Sequence, residues 1–313
     1  MHEHSFDGRV AVVTGAGRGI GRAHASLLAE RGARVVVNDL GGSVSGDGAD
    51  RAPAAAAAAA ITAAGGTAIA DCSDVATTAG AETLIATAVE HFGRVDVVIN
   101  NAGVIRWARP PDADADNLAT HLAVHVGGSF NTTRAAWPHM IEQGYGRIVM
   151  TTSAGMFGLP ANLSYATAKA AVVGLTRSLT TAGAAHGIKV NLIAPAAFTR
   201  MAGKAGDDTD TNDPAVAQMS PDLVAPMVAF LAHEACPVSG EIYAAGAGHF
   251  ARIFIASTPG YIHPTPAPTI EDVAENWATI NDEAGYYIPA DLPAWSTAFM
   301  AHLTPTESGS AGT

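Results

Sequence analysis

The chain of 313 residues is long enough for one large α/β domain with an appendage, and 48% hydrophobic against 15% charged residues excludes wholesale disorder. Net charge is −12 and the 17 Lys and Arg are scattered, which excludes the clustered basic footprint of a nucleic-acid binder. No uncharged apolar run is long enough to span a membrane, the first residues lack an apolar signal core, and Cys72 and Cys236 form neither a CxxC pair nor a disulfide framework, so the expectation is a cytoplasmic protein without a membrane or nucleic-acid partner.

The pass along the chain begins with a βαβ unit: Arg9 to Thr14 as strand, Ile20 to Arg31 as helix, Ala33 to Asp39 as strand. Between the first two lies Thr14-Gly15-Ala16-Gly17-Arg18-Gly19-Ile20-Gly21. Glycines at 15, 19 and 21 permit a tight turn and close approach of backbone to a pyrophosphate, whose charge is met by amides at the helix N-terminus. The spacing is Gly-x-x-x-Gly-x-Gly; taken alone, such a run is also compatible with a plain strand-helix turn. Asp39 ends the second strand, where a carboxylate accepts from adenosine ribose hydroxyls and repels a 2′-phosphate, which favours NAD. Arg18 is the opposing signal, since a guanidinium there could meet a 2′-phosphate. Arg18 and Ile20 in the loop and Leu40 after Asp39 complete the candidate cofactor residues of this unit.

A glycine-rich turn from Leu40 to Asp50 and an alanine helix from Ala54 to Ala60 read as carrying no chemistry. Strand-like runs recur at Thr67 to Ala70, Val95 to Ile99, Arg147 to Thr152 and Lys189 to Ile193, alternating with helix-length segments. The expected fold is α/β: a doubly wound, Rossmann-type parallel sheet of about seven strands in a single domain over residues 1–250, with a C-terminal extension over 251–313. Gly203 to Pro221 is polar, acidic and aperiodic, and reads as a mobile loop that is either a substrate lid or passive. In the extension, prolines at 259, 264, 266 and 268 precede a capping-box-like start at Thr269 and Asp272. Ile270, Val273, Trp277 and Ile280 then share one face, which is expected to bury on its own domain or on a sister subunit.

The remaining signal is Tyr165-Ala166-Thr167-Ala168-Lys169. Four residues apart on a helix, the phenol and the ammonium share a face. Bringing a phenol from a pKa of about 10 to about 7 needs roughly 4 kcal/mol, and one positive charge at about 4 Å supplies roughly that at an effective dielectric near 20. A proton-transfer device beside a dinucleotide cradle is what interconversion of an alcohol and a ketone requires.

Together with Asn100-Asn101-Ala102-Gly103, these motifs resemble the short-chain dehydrogenase/reductase family over roughly residues 8 to 250. The resemblance implies that Asp74 and Val75 lie against the adenine and that Asn101, Ala102 and Gly103 line the cofactor. It implies that Tyr165 is the catalytic base/acid, and that Lys169 is its partner and touches the nicotinamide ribose. Counting along the strand from Gly146 assigns the family's serine to Ser153; counting back from Tyr165 lands on Thr152. A strand holds register more tightly than the loop after it, so Ser153 is preferred. Two departures stand out. His125 occupies the place of a common asparagine, and either replaces it or is a satisfied core histidine. The usual Pro-Gly is Pro195-Ala196-Ala197-Phe198-Thr199, with Pro195 and Thr199 as the candidate nicotinamide-side residues.

Within the family, Val37-Asn38-Asp39-Leu40-Gly41-Gly42, Val124-His125 with Gly128-Ser129-Phe130, Arg134-Ala135-Ala136-Trp137, and Tyr243 with Gly246-Ala247-Gly248 are similar to the (3R)-hydroxyacyl-CoA dehydrogenase part of peroxisomal multifunctional enzymes type 2 and their stand-alone bacterial relatives. That similarity implies an NAD-dependent enzyme acting on a small-molecule substrate, a 3-hydroxyacyl-CoA, with no metal and a homodimeric or homotetrameric assembly. Leu159-Pro160-Ala161-Asn162 departs from those relatives, which keeps a steroid alcohol or a small carbonyl as alternatives and a non-catalytic NAD sensor as a remote one. A CoA ester carries several negative charges, so an enzyme at −12 needs a local basic site. Arg106, Arg109, Arg200, Lys204 and Arg252 are the candidates, with at least two expected to face the substrate cleft.

Overall fold

Valine-rich runs alternating with helix-length segments assemble one sheet in a computed structural model that describes residues 4–202, 217–265 and 267–303. Its strands are β1 Val10–Thr14, β2 Arg34–Asn38, β3 Thr67–Asp71, β4 Val97–Asn100, β5 Gly146–Thr151, β6 Ile188–Pro195, β7 Ile242–Gly246 and β8 His249–Ile253. The order is β3-β2-β1-β4-β5-β6-β7-β8; all neighbours are parallel except β7 and β8, which form an antiparallel hairpin. The expectation of about seven strands holds for the parallel set. The eighth begins at His249, where the sequence reading placed its domain boundary, because a hairpin strand beside Gly246 and Gly248 carries no buried apolar run to betray it.

Helices cover both faces: α1 Gly19–Glu30, α2 Ala52–Ala63, α3 Thr78–Phe92, α4 Ala115–His121, α5 Ser129–Gln143, α6 Leu163–Gly183 and α7 Ala225–Ala232. A π-helical turn, Leu122–Gly128, joins α4 to α5. Successive strand residues feed opposite cores: Ala11, Val13, Val97 and Ile99 pack on one face with Leu28 and Leu231, and Val10, Val12 and Val98 on the other with Leu84 and Met140. Each such side chain contributes about 1.5–3 kcal/mol on full burial. Strand order reverses between β1 and β4, and that switch point opens a crevice at the carboxyl ends of the strands.

Contacts divide the chain into Met1–Ile253 and Phe254–Thr313. The second unit holds short helices Ile270–Glu275, Trp277–Ile280 and Leu292–Phe299. The first starts with the expected capping box: Thr269 Oγ1 accepts from the Asp272 amide at 3.2 Å, and Asp272 Oδ2 from the Thr269 amide at 2.8 Å. Of the stripe that follows, Ile270, Val273 and Trp277 are exposed. Helices of one or two turns enclose little, and among the described residues no hydrophobic side chain beyond Ile253 is buried. Pro266 and residues 203–216, most of the expected loop, lie outside the described residues.

Candidate active site

The glycine turn is shaped by contacts that exclude side chains. Gly15 and Gly19 have φ of +62° and +51°, a left-handed region that glycine enters without strain. A Cβ on Gly21 would stand 2.2 Å from the Gly15 carbonyl oxygen, and one on Gly17 would stand 2.8 Å from Asp39 Oδ2. Thr14 Oγ1 accepts from the amides of Asn101 and Ala102, each at 3.0 Å, while Asn101 Nδ2 donates to the carbonyls of Thr14 and Gly15 at 3.0 and 3.1 Å. Asn101 therefore stitches the turn to the end of β4. Asp39 accepts from the Gly17 amide at 2.8 Å and the Gly41 amide at 2.7 Å, which fixes its carboxylate at the crevice.

These elements enclose a cavity of about 640 Å³, within the range of about 300–1,000 Å³ usual for ligand sites. The proposed cofactor residues from Gly15 through Gly103 line it, and so does Thr199; Pro195, Tyr165 and Lys169 do not. The sequence reading missed Ser43, Val44 and Gly46, which form part of the wall. They belong to the glycine-rich turn from Leu40 to Asp50, and aperiodic glycine-rich residues leave no pattern from which to foresee their position. A dinucleotide suits this cradle, since only glycine fits where the backbone closes and Gly19, Ile20 and Gly21 at the α1 N-terminus, whose first amides have no intrahelical acceptor, line the cavity.

Beside the cavity stand Ser153, Tyr165 and Lys169. The two hydroxyls at the end of β5 separate clearly. Thr152 is buried and donates from Oγ1 to the Lys169 carbonyl at 2.7 Å, anchoring α6, whereas Ser153 Oγ accepts from the Gly155 amide at 3.0 Å and lies on the side of Gly155 that the Tyr165 ring also faces. Asn162, the counterpart of the departure before the tyrosine, caps α6 by accepting from the Tyr165 amide at 3.1 Å. Lys169 Nζ donates to the Thr151 carbonyl at 2.8 Å and lies 5.7 Å from the Tyr165 ring centroid.

Burial pushes the Tyr165 hydroxyl above its ordinary value, and only the Ser153 hydroxyl opposes this. Burial also acts on the lysine, whose pKa falls to about 7. His125 is buried edge-on to Tyr165, with ring centroids 5.4 Å apart. Its Nε2–H donates to the Val104 carbonyl at 2.8 Å, while Nδ1 has no hydrogen-bond partner. His121 stacks on it at 6.0 Å and also meets Tyr165 edge-on. Burial first, and the Lys169 charge after it, hold His125 well below the usual imidazole range.

The expected basic cleft is only partly present. Arg200 lines the cavity and Arg109 is exposed, but Arg106 is committed to Ser45, Asp47, Asp116 and Thr120. Arg252 lies on β8 and forks onto Glu241 at 2.7 and 2.9 Å. Lys204 lies outside the described residues. No cluster of three or more His, Cys, Asp or Glu suited to a metal occurs among the described residues, and none of their helices is long and apolar enough to cross a membrane.

The model for the short chain dehydrogenase family matches residues 9–210. A short-chain type dehydrogenase/reductase of Mycobacterium tuberculosis is 42% identical over 279 residues, which cover 88% of this chain and 95% of that protein. Mouse peroxisomal multifunctional enzyme type 2 is 42% identical over 283 residues, and the matched part is 37% of its length. The full-length Drosophila melanogaster enzyme of the same name superposes with a TM-score of 0.78 at 31% identity, covering 96% of this chain and 50% of that one. A short chain dehydrogenase from Mycobacterium avium gives 0.76 at 35% identity over 88% and 97% of the two chains.

Proposed function

Because this chain belongs to the short-chain dehydrogenase/reductase family, we propose that it is an NAD-dependent enzyme that interconverts a secondary alcohol and a ketone, with a 3-hydroxyacyl-CoA as its substrate class. The observation that carries this reading is the convergence of Ser153 and Tyr165 on Gly155, where an added Cβ would stand 3.4 Å from both Ser153 Oγ and the Tyr165 ring, beside a buried Lys169. Ser153 donates to the substrate oxygen and orients it. As the tyrosinate, Tyr165 takes the hydroxyl proton in oxidation, and as the phenol it returns that proton in reduction. Lys169, brought near neutrality, holds or gives up a proton at Nζ as the phenol changes charge. NAD bound in the glycine cradle supplies the hydride acceptor. Asp39, fixed by two backbone amides, favours a ribose with a free 2′-hydroxyl.

The acyl part of the reading is supported by exposed apolar side chains, Trp107, Phe157 and Leu163, on the segments that flank Ser153 and Tyr165. Its CoA part rests on the similarity to the multifunctional enzymes and on Arg109 and Arg200 as the remaining described cations of the expected cleft. The domain 1–250 carries the chemistry, and the extension 251–313 belongs to its packing or assembly as a homodimer or homotetramer. Absorbance of NADH over a panel of 3-hydroxyacyl-CoAs, steroid alcohols and simple alcohols tests the proposal. Hydroxyacyl-CoA turnover is expected to dominate, with KM rising in salt as charge attraction is screened. Better turnover of a free alcohol than of its CoA ester would reverse the substrate assignment, and tight NAD binding without turnover would leave a sensor.

A further inference from the structure

One residue ties the wall of the cofactor cavity to the catalytic helix. Arg106, in the segment after β4, donates from Nε to the Ser45 carbonyl at 2.7 Å and from Nη2 to Asp47 at 3.4 Å. Both acceptors belong to a strap, residues 43–47, whose Ser43 amide donates back to the Asp47 carbonyl at 2.8 Å. The Ile105 amide pins the strap a second time by donating to the Val44 carbonyl at 2.9 Å. Asp47 and Asp116, the two carboxylates on the guanidinium, are 71% and 82% exposed, so their ion pairs are weak. The short, charge-assisted bond to the Ser45 carbonyl is the stronger hold.

The backbone of the same residue reaches Tyr165 by two routes. Its carbonyl accepts from Asn162 Nδ2 at 3.1 Å, and Asn162 Oδ1 accepts from the Tyr165 amide at 3.1 Å. Its amide donates to His121 Nε2 at 3.2 Å; His121 Nδ1 donates to the Asn117 carbonyl at 2.8 Å, which sets the tautomer, and the ring stands edge-on to Tyr165. Asn162 is fully buried and His121 is too, so a shift of the Arg106 backbone leaves polar atoms unpaired and cannot be absorbed by solvent.

We infer that Arg106 is a positioning residue that couples closure of the strap over the cofactor to the alignment of Tyr165, acting through Asn162 and His121. The inference rests on the dehydrogenase reading for its kinetic consequence, while its structural half stands without it. Arg106→Gln should raise the NAD Kd about tenfold, which is about 1.4 kcal/mol, and should also lower kcat at saturating NAD several-fold. Asn162→Ala should lower kcat and leave the Kd within about twofold. The double variant should be little slower than the slower single one, because both break the same connection. Arg106→Lys, which keeps the charge and loses the fork, should fall between wild type and Arg106→Gln.

The deciding experiment measures amide exchange in the unliganded full chain together with these kinetics. Arg106→Gln is expected to speed exchange at Ile105 and at Tyr165 together, with an unchanged global unfolding midpoint. Faster exchange at Ile105 alone, an unaltered kcat at saturating NAD, or multiplicative rate effects in the double variant would each overturn the coupling. If wild type neither binds NAD nor oxidises an alcohol, the dehydrogenase reading fails, and exchange at Tyr165 still decides the role of Arg106.

Discussion

Two buried charges sit at opposite edges of the sheet. At the amino edge, the carboxylate of Asp96 is fully buried and accepts from the Val10 amide at 2.9 Å, Arg9 at 3.1 Å, and both Arg94 Nε and Nη2 at 2.7 and 2.5 Å. The nearby Tyr145 ring lies between the guanidiniums of Arg9 and Arg147, at 3.8 and 4.4 Å. At the carboxyl edge, Lys169 is equally buried, yet among the described residues no carboxylate pairs with it, and His125 Nδ1 and Thr151 Oγ1 are unpartnered. Around Asp96 the chain satisfies the buried carboxylate from within. The carboxyl edge leaves polar groups unsatisfied, a cost that persists where a ligand or a moving proton engages them.

Breaking the amino edge gives the largest expected effect. Asp96→Ala strands Arg94 and the Val10 amide and leaves Arg9 only Glu234 as an acidic partner, and should cost about 3 kcal/mol in urea denaturation, while the folded protein keeps its NAD Kd within about twofold. A change in Kd larger than the change in stability would blur the contrast between the edges. Tyr165→Phe is the converse: kcat should fall at least about 10²-fold, with cofactor affinity within a few-fold and the unfolding midpoint unchanged. Ser153→Ala should also impair turnover, and a loss confined to Thr152→Ala would move the catalytic hydroxyl to Thr152.

A smaller effect sharpens the comparison through pH. His24 on α1 is buried without hydrogen bonds, and its pKa falls to about 3. Its folded pKa lies below the unfolded 6.5, so the unfolded chain binds the extra proton between these values and stability falls as pH drops through that window. Relative to His24→Leu, wild type should lose about 1.5 kcal/mol between pH 6.5 and 5. Lys169 acts in the same sense at higher pH: with a folded pKa of about 7 against 10.5, its burial penalty is largest below pH 7 and is relieved as pH rises. A flat difference between wild type and His24→Leu would mean that the imidazole is solvated. The smallest effect concerns Asp39. The kcat/KM ratio should favour NAD over NADP by more than about tenfold, about 1.4 kcal/mol, and Asp39→Ala should narrow it mainly by weakening NAD.

The parallel strands were legible because runs such as Val10 to Val13 are buried on both sides and admit few other readings. The glycine turn was legible because positive φ and close backbone contact demand glycine at set places. Strand register was the signal used to choose Ser153 over Thr152, and Ser153 follows β5 by two residues. The strap was not, because its placement depends on Arg106 reaching Ser45 across 61 residues, a contact with no local pattern. Spacing on a helix gives the proximity of Tyr165 and Lys169 but not their burial, and burial is the largest influence on both groups.

The central claim is that the carboxyl edge passes a hydride from a substrate carbon to NAD under the control of Tyr165. It is tested most directly with a 3-hydroxyacyl-CoA carrying deuterium at carbon 3, by mass spectrometry of the reduced cofactor. Wild type is predicted to yield monodeuterated NADH in step with ketone formation, and Tyr165→Phe to yield at least about 10²-fold less in the same time. Ketone formation without deuterium in the cofactor, or undiminished transfer by Tyr165→Phe, would contradict the account.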